Sequence, residues 1–324
     1  MIMKLIYIVF VSTFLINSSI AQESEPSVEA EFDTIFKFQF EPIKVNHQKR
    51  ILIDEGHNTI YSLSYGKDSA REMLRIMDVD GFEVAFTKNA LDSTNLSKSK
   101  PDILIIHGIP NDKIVLDSEN KREILYKSPI SNKEVVDIVK YVYKGGSLLV
   151  FLSHHPGGSG ALPILEAFNI KFRDGYANHP KSPGYNCGIC SQFIMTSKNG
   201  MINVDHPIFT TSVSEDLIPN TVKFLCGAAV FRNPEDTILP FPNNTTNYSR
   251  SSEGLNIEES SDYYSGMIGF NFGTGRVIVA TDQGMFRSLD LLLDGEKIPV
   301  TIHDPECDNA ELFLNSIRWL SKMQ

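Results

Sequence analysis

The chain has 324 residues, of which 42% are hydrophobic, and a formal net charge of −10. This length is sufficient for one large domain, or for a domain with an added lobe, that buries a substantial core. The negative charge and the absence of a basic tract exclude nucleic acid and anionic membrane surfaces as expected partners. We therefore expect the partner to be an oligosaccharide or another small polar ligand.

Residues 1–21 have the pattern of a signal peptide. A short start that contains Lys4 precedes an apolar stretch at 5–16, and small residues follow up to Ala21. We predict cleavage after Ala21 and a periplasmic or secreted protein, with an uncleaved membrane anchor as the alternative. No later segment approaches the roughly 18 apolar residues of a transmembrane helix, so we expect no stable membrane insertion.

The remainder is predicted to consist of an N-terminal segment at 22–48, either an edge strand or an extended arm, and an α/β domain at 49–324. Strand and helix patterns alternate at the start of this domain. Predicted strands lie at 51–54, 81–88, 101–108 and 146–156, and predicted helices lie at 64–81 and 131–143. Ser131 is the expected cap of the second helix, and two glycines follow its end.

Residues 173–265 are predicted to form an irregular insert, which could act as a lobe or lid. Within the insert we predict strands at 222–231 and 202–209. The chain then returns as a hairpin around Gly273–Gly275 and ends in an amphipathic helix at 309–323. This order predicts a doubly wound, mainly parallel sheet of the flavodoxin type.

Three of the apolar runs end in histidine. Apolar runs of this kind are typical of parallel strands that are buried on both faces, and the loops after such strands line the ligand crevice of open α/β sheets. The histidines that follow these runs are His57, His107, His154 and His155. We therefore expect these four side chains to converge on one functional edge.

Several motifs resemble those of a functionally uncharacterised bacterial family with a class I glutamine-amidotransferase-like, flavodoxin-like fold. They are DEGHN at 54–58, GGSLLVFLSHHP at 145–156, FNIKFRDGYA at 168–177, GRVIVATDQGMF at 275–286 and DNAELFLNSIRWL at 308–320. The resemblance implies a sheet with short helices on both faces. It does not imply amidotransferase activity, because the turn SHHPGGSG at 153–160 lacks the cysteine nucleophile. Ser153 and Ser159 are not in a G-x-S-x-G elbow either.

The chemistry that we expect is elimination of water or a sugar from a uronate-containing oligosaccharide, which makes the protein a carbon–oxygen lyase of the dehydratase or polysaccharide-lyase type. Imidazole and phenol groups suit the base and acid of such a step, and the substrate carboxylate needs a neutralising partner. The candidate catalytic residues are His154, His155, His57, His107, Tyr185 and Tyr176. The candidate substrate-binding residues are Glu55, Asn58, Arg276, Arg287 and Asp282.

Two alternatives to the lyase hypothesis stay open. The first is a non-catalytic module that binds an oligosaccharide or a protein. The second is a metal-dependent hydrolase, in which a divalent metal is held by the histidine cluster and Asp282. We expect no cofactor unless this second alternative holds.

The four cysteines are Cys187, Cys190, Cys226 and Cys307. In an exported protein, a structural disulfide is the favoured interpretation of the CxxC pair at 187–190, with free thiols or a metal site as alternatives. The sequence does not define the pairing.

Overall fold

The computed structural model describes residues 28–43, 48–57, 69–118, 121–154, 157–180, 191–210, 218–225, 227–250, 256–260, 264–293, 295–298 and 301–323. Several sequence predictions lie outside these residues: the signal peptide at 1–21, and the roles or pairings of Asn58, His155, Tyr185, Cys187, Cys190 and Cys226. No helix among the described residues is long and apolar enough to span a bilayer.

The helices of the described part are α1 (Arg71–Val79), α2 (Ser93–Ser99), α3 (Asn132–Tyr143), α4 (Leu162–Ala167), α5 (Pro207–Thr210) and α6 (Asn309–Ser321). The strands before the predicted insert are β1 (Val28–Phe32), β2 (Arg50–Asp54), β3 (Glu83–Thr87), β4 (Ile103–His107), β5 (Asp112–Ser118), β6 (Lys121–Lys127), β7 (Ser147–Phe151) and β8 (Lys171–Arg173). The later strands are β9 (Gly175–Asn178), β10 (Gln192–Thr196), β11 (Thr221–Leu225), β12 (Ala229–Phe231), β13 (Thr237–Pro240), β14 (Thr246–Arg250), β15 (Asn256–Ser260), β16 (Ser265–Phe272), β17 (Gly275–Ala280), β18 (Leu289–Leu293) and β19 (Glu296–Ile298).

The central sheet has the order β3-β2-β4-β7-β17-β16-β12-β8, and β13 also pairs with β16. The first five of these strands are parallel to one another, whereas β16, β12, β13 and β8 add antiparallel pairings. Numbered along the chain, the parallel strands have the spatial order 2-1-3-4-5, which is the flavodoxin-like order. The predicted fold class is thereby confirmed.

Alternating residues of the parallel strands enter two separate cores, one on each face of the sheet. In β4, Ile103 and Ile105 pack with α1 and α6, while Leu104 and Ile106 pack with α2, α3 and α4. The strands β2, β7 and β17 alternate in the same way. Because both faces are covered by helices, these strands read in the sequence as continuous apolar runs.

The predicted cap of α3 is present, whereas the helix predicted at 64–81 is described only as α1 at Arg71–Val79, and α2 is not among the predicted helices. Ser131 caps α3: its side chain accepts a hydrogen bond from the Glu134 backbone, and the Glu134 carboxylate accepts one from the Ser131 backbone. This reciprocal capping box satisfies backbone donors that the first turn of a helix leaves unpaired. Asp92 caps α2 through the backbone of Asn95.

The N-terminal segment contains a strand followed by an extended arm. Strand β1 pairs with β18 in a small three-stranded sheet, β1-β18-β19. The arm at 33–43 then runs along α1, where the Phe38 backbone donates to Glu72 at 2.7 Å and the Ile43 backbone donates to Asp80 at 3.0 Å. These contacts attach the arm to the helix layer of the domain.

Two strand predictions inside the insert are corrected. The single strand predicted at 222–231 is two strands, since β11 pairs with β10 while β12 joins the central sheet. Between them the chain passes so close to Phe224 that a Cβ on Gly227 would lie 2.1 Å from its ring. The strand predicted at 202–209 is wrong, because Pro207 opens the short helix α5. Proline suits this first helical position, where its missing N–H has no partner to lose.

Candidate functional site

The carboxyl ends of β2, β4, β7 and β17 form one edge of the sheet, which we call the carboxyl edge. The order of the parallel strands reverses between β2 and β4, and in open α/β sheets ligands bind at such a switch point. Glu55 follows β2, His107 ends β4, His154 follows β7, and Asp282 follows β17. The fold thus brings described candidates from four strands to one edge.

Glu55 and His107 form a buried pair at the switch point. The Oε1 atom of Glu55 lies 3.6 Å from Nε2 of His107, and both side chains are almost fully buried. Burial lowers the pKa of His107, although Glu55 opposes this effect; the positive charge of Arg287 lowers it further. His107 is therefore neutral near neutral pH.

His57 is bound between two carboxylates. Its Nδ1 lies 2.8 Å from Oδ2 of Asp54, and its Nε2 lies 2.9 Å from Oε1 of Glu134 at the start of α3. Burial would lower its pKa, but the hydrogen bonds and charges of both carboxylates raise it overall. Both ring nitrogens are therefore occupied, and His57 joins β2 to α3.

Asp282 is held by the backbone. Its Oδ2 accepts a hydrogen bond from Leu225 at 2.8 Å, and its Oδ1 accepts one from Gly284 at 2.8 Å. Burial raises the pKa of the carboxyl to about 7 despite these hydrogen bonds. The contacts give Asp282 the role of a cap for the turn at Gln283–Phe286.

His154 and Tyr176 lie face to face. Their ring centroids are 4.7 Å apart and their planes are inclined by 21°. His154 follows β7 and Tyr176 is on β9, and both side chains are half-buried. Two residues that the sequence proposes as base and acid are therefore in direct contact.

The two candidate arginines lie at opposite ends of the sheet. Arg287 is buried near the carboxyl edge, where its Nη1 donates to Ser69 Oγ at 2.9 Å. Arg276 is the second residue of β17 and lies at the other end of the strand, where its guanidinium is over Trp319, 4.9 Å from the ring centroid, and donates to the Trp319 carbonyl. Arg276 is thus not brought together with the histidines.

Three residues near this edge are missing from the candidates that the sequence supplies: Glu134, Gly108 and Gln283. Glu134 belongs to a capping box, which the sequence pattern S-x-x-E at 131–134 could have revealed. Gly108 directly follows His107 in the chain, and Gln283 directly follows Asp282. Nothing in the sequence indicates that Gly108 and Gln283 are in contact. Their contact depends on strand order.

No group of three or more His, Cys, Asp or Glu side chains suited to a metal ion occurs in the described ranges. Cys307 has a free thiol whose pKa is raised by burial to about 12.

No protein-family model and no curated protein sequence matches this chain. Similar solved structures include a ThuA-like protein from Bacteroides uniformis, with 12% identity and a TM-score of 0.42 over 87% of this chain and 95% of that one. A cytoplasmic protein from Salmonella typhimurium has 11% identity and a TM-score of 0.42 over 84% and 98% of the two chains. A ThuA-like protein from Parabacteroides merdae has 13% identity and a TM-score of 0.36 over 87% and 90%. At such low identities and TM-scores, none of these similarities assigns a function.

Proposed function

We propose that the protein is an exported carbon–oxygen lyase that eliminates water or a sugar from uronate-containing oligosaccharides. The observation that carries the proposal is the stacking of His154 on Tyr176 at the carboxyl edge. A neutral imidazole and a phenol are a suitable base and acid for elimination at neutral pH. The predicted signal peptide supports action on extracellular or periplasmic material.

In this mechanism His154 removes the proton from the carbon next to the uronate carboxylate. The electron pair of that C–H bond forms a carbon–carbon double bond, and the bond from the neighbouring carbon to the departing oxygen breaks. Tyr176 gives its phenolic proton to that oxygen. The proton taken up by His154 then returns to the adjacent phenolate, so the pair is ready for the next cycle.

The stacked arrangement favours a particular stereochemistry. Because the two rings are in contact, their polar atoms approach the same side of a bound sugar. We therefore propose syn elimination, in which the proton and the oxygen leave from one face. The positive charge of Arg287 near this edge favours the enolate-like charge that develops on the carboxylate.

The test measures ultraviolet absorbance of the unsaturated uronate product and its mass. The purified mature chain, His154→Gln and Tyr176→Phe are incubated with uronate-containing oligosaccharides. We expect both variants to lose turnover by about 10²–10⁴-fold, since each lacks a proton-transfer group. Tyr143→Phe is the control, because Tyr143 is 63% exposed and contacts the β16–β17 turn at the opposite edge.

Product mass separates loss of water from chain cleavage. Turnover that persists in both variants contradicts the proposed roles of His154 and Tyr176. Saturable binding without turnover, unchanged in the variants, indicates the alternative function of an oligosaccharide-binding module. Cleavage that adds water without forming the unsaturated uronate, and that stops with EDTA, indicates the metal-dependent hydrolase.

A further inference from the structure

The side-chain amide of Gln283 is buried without a hydrogen bond. Gln283 is only 4% exposed, and within the described residues neither Nε2 nor Oε1 has a hydrogen-bond partner. A buried amide in this state lowers stability, and folded proteins rarely retain one. The described part of the chain therefore leaves both a donor and an acceptor of this amide unpaired.

The amide lies across the end of β7. The Gln283 backbone, just after β17, donates to the Leu152 carbonyl at 3.1 Å. Its Nε2 atom lies 2.9 Å from the position that a Cβ would take on Gly108, just after β4. Because β7 lies between β4 and β17, the side chain must cross the carboxyl end of β7.

Gly108 is suited to this close approach in two ways. Its φ of +44° is in the left-handed region, which favours glycine. A Cβ at this position would also lie 2.9 Å from Nε2 of Gln283, so the amide would have to shift. The backbone thus leaves space for the amide at this position.

His107, which precedes Gly108, also has buried polar atoms without a hydrogen bond to the described residues. His107 is fully buried, and neither of its ring nitrogens forms a hydrogen bond to any described residue. Its Nε2 is 3.6 Å from Oε1 of Glu55, which is too long for a hydrogen bond. Unpaired polar atoms of two side chains therefore lie near the carboxyl end of β4, which borders the switch point where ligands bind in open α/β sheets.

We propose that Gln283 is a sugar-binding residue whose amide recognises two adjacent hydroxyl groups. One hydroxyl donates to Oε1, while the oxygen of its neighbour accepts from Nε2; His107 is positioned to bond a third polar group. This inference rests on the proposed function for the class of ligand. It places the bound sugar over the end of β7, the strand that continues into His154.

The first experiment measures thermal unfolding of the full chain without ligand. Gln283→Met removes two unpaired polar atoms and keeps a similar volume, so its unfolding midpoint should equal or exceed that of the wild type. Asn309→Leu is the matched control, because this buried amide is fully bonded: its Nδ2 donates to the Lys223 and Met285 carbonyls and its Oδ1 accepts from the Lys223 backbone. Its midpoint should fall.

The second experiment measures affinity for trigalacturonate by calorimetry. The wild type should bind saturably, and Gln283→Met should bind at least about tenfold more weakly, the loss expected when about 1.4 kcal/mol of hydrogen bonding disappears. Trigalacturonate acetylated on its adjacent hydroxyl groups should bind the wild type as weakly as the variant binds the free sugar. This second probe distinguishes recognition of hydroxyls from recognition of carboxylates.

The inference is overturned if Gln283→Met lowers the unfolding midpoint as Asn309→Leu does, since the amide then has a structural partner. Unchanged affinity in the variant, or no binding by the wild type, also overturns it. If wild type and Gln283→Met eliminate water or a sugar from the oligosaccharide at equal rates, the inference is contradicted and the lyase proposal stays intact. Binding that depends on Gln283 without any conversion supports the inference and contradicts the lyase proposal.

Discussion

The imidazole of His57 lies between the carboxylates of Asp54 and Glu134, and this position makes the stability of the fold depend on pH. The pKa of His57 is raised in the folded state. The stabilisation that His57 contributes is therefore complete below its pKa in the unfolded chain, about 6.5. It is lost as pH rises through the pKa of His57 in the folded state.

We predict that His57→Gln lowers the free energy of unfolding by about 2–3 kcal/mol at slightly acidic pH, because hydrogen bonds to charged groups are lost. The deficit relative to the wild type should shrink as pH rises. Urea unfolding at about pH 6 and about pH 9 measures the difference. A deficit that grows with pH contradicts this assignment of charge.

His206 provides a control of opposite sign. Burial lowers its pKa; its Nδ1 accepts from the Ile208 backbone, and its Nε2 bonds the Gly269 carbonyl at 2.9 Å. Because the folded state resists protonation here, the deficit of His206→Gln should shrink as pH falls.

At this scale the sequence reveals residue type but not role. The positions of His107 and His154 at the carboxyl edge follow from the apolar runs that precede them. Arg276 also belongs to such a run, yet it lies near the start of β17, so its side chain is at the opposite edge. The capping role of Asp282 depends on Leu225, a partner 57 residues away in the chain.

At the scale of elements, α3 links the capping box to the carboxyl edge, because the same Glu134 side chain also bonds His57 and the Leu91 backbone. Loss of the cap should therefore disturb more than the first turn of the helix.

We predict that Ser131→Ala lowers the free energy of unfolding by about 1–2 kcal/mol, the upper part of the range for helix caps. Val136→Ala on the exposed face of the same helix should change it by less than about 0.5 kcal/mol. Urea unfolding of both variants tests the difference, and equal effects contradict the linked role of the cap.

Elements with a local signal could be predicted, and those without one could not. The pattern at 131–143 predicts α3 to within one residue, because its cap and apolar spacing are local. The run at 222–231 looks like one strand, although its halves pair in different sheets. Periodicity shows that a residue is buried, but it does not identify the neighbouring strand.

At the scale of the whole molecule, one buried ion pair joins three distant parts of the chain. Arg318 on α6 makes two hydrogen bonds to Asp80 after α1, at 2.7 and 2.9 Å, and also donates to the Glu41 carbonyl in the arm. Both charged side chains are almost fully buried.

We predict that Asp80→Ala costs about 3–5 kcal/mol of unfolding free energy, because it leaves the Arg318 charge buried and unpaired. Asp80→Ala combined with Arg318→Met should cost much less than the two single losses together. A double-mutant cycle measured by urea unfolding tests this coupling, and additive losses contradict it.

The chain contains a single tryptophan, Trp319, which is 2% exposed. It lies at the amino end of the parallel strands, beneath Arg276 and 5.8 Å from the His206 ring. All tryptophan fluorescence therefore originates at the edge opposite the candidate site. Unfolding should shift this emission strongly, whereas a ligand at the carboxyl edge should leave it unchanged, so the intact chain carries a built-in optical reporter of folding that is separate from ligand binding.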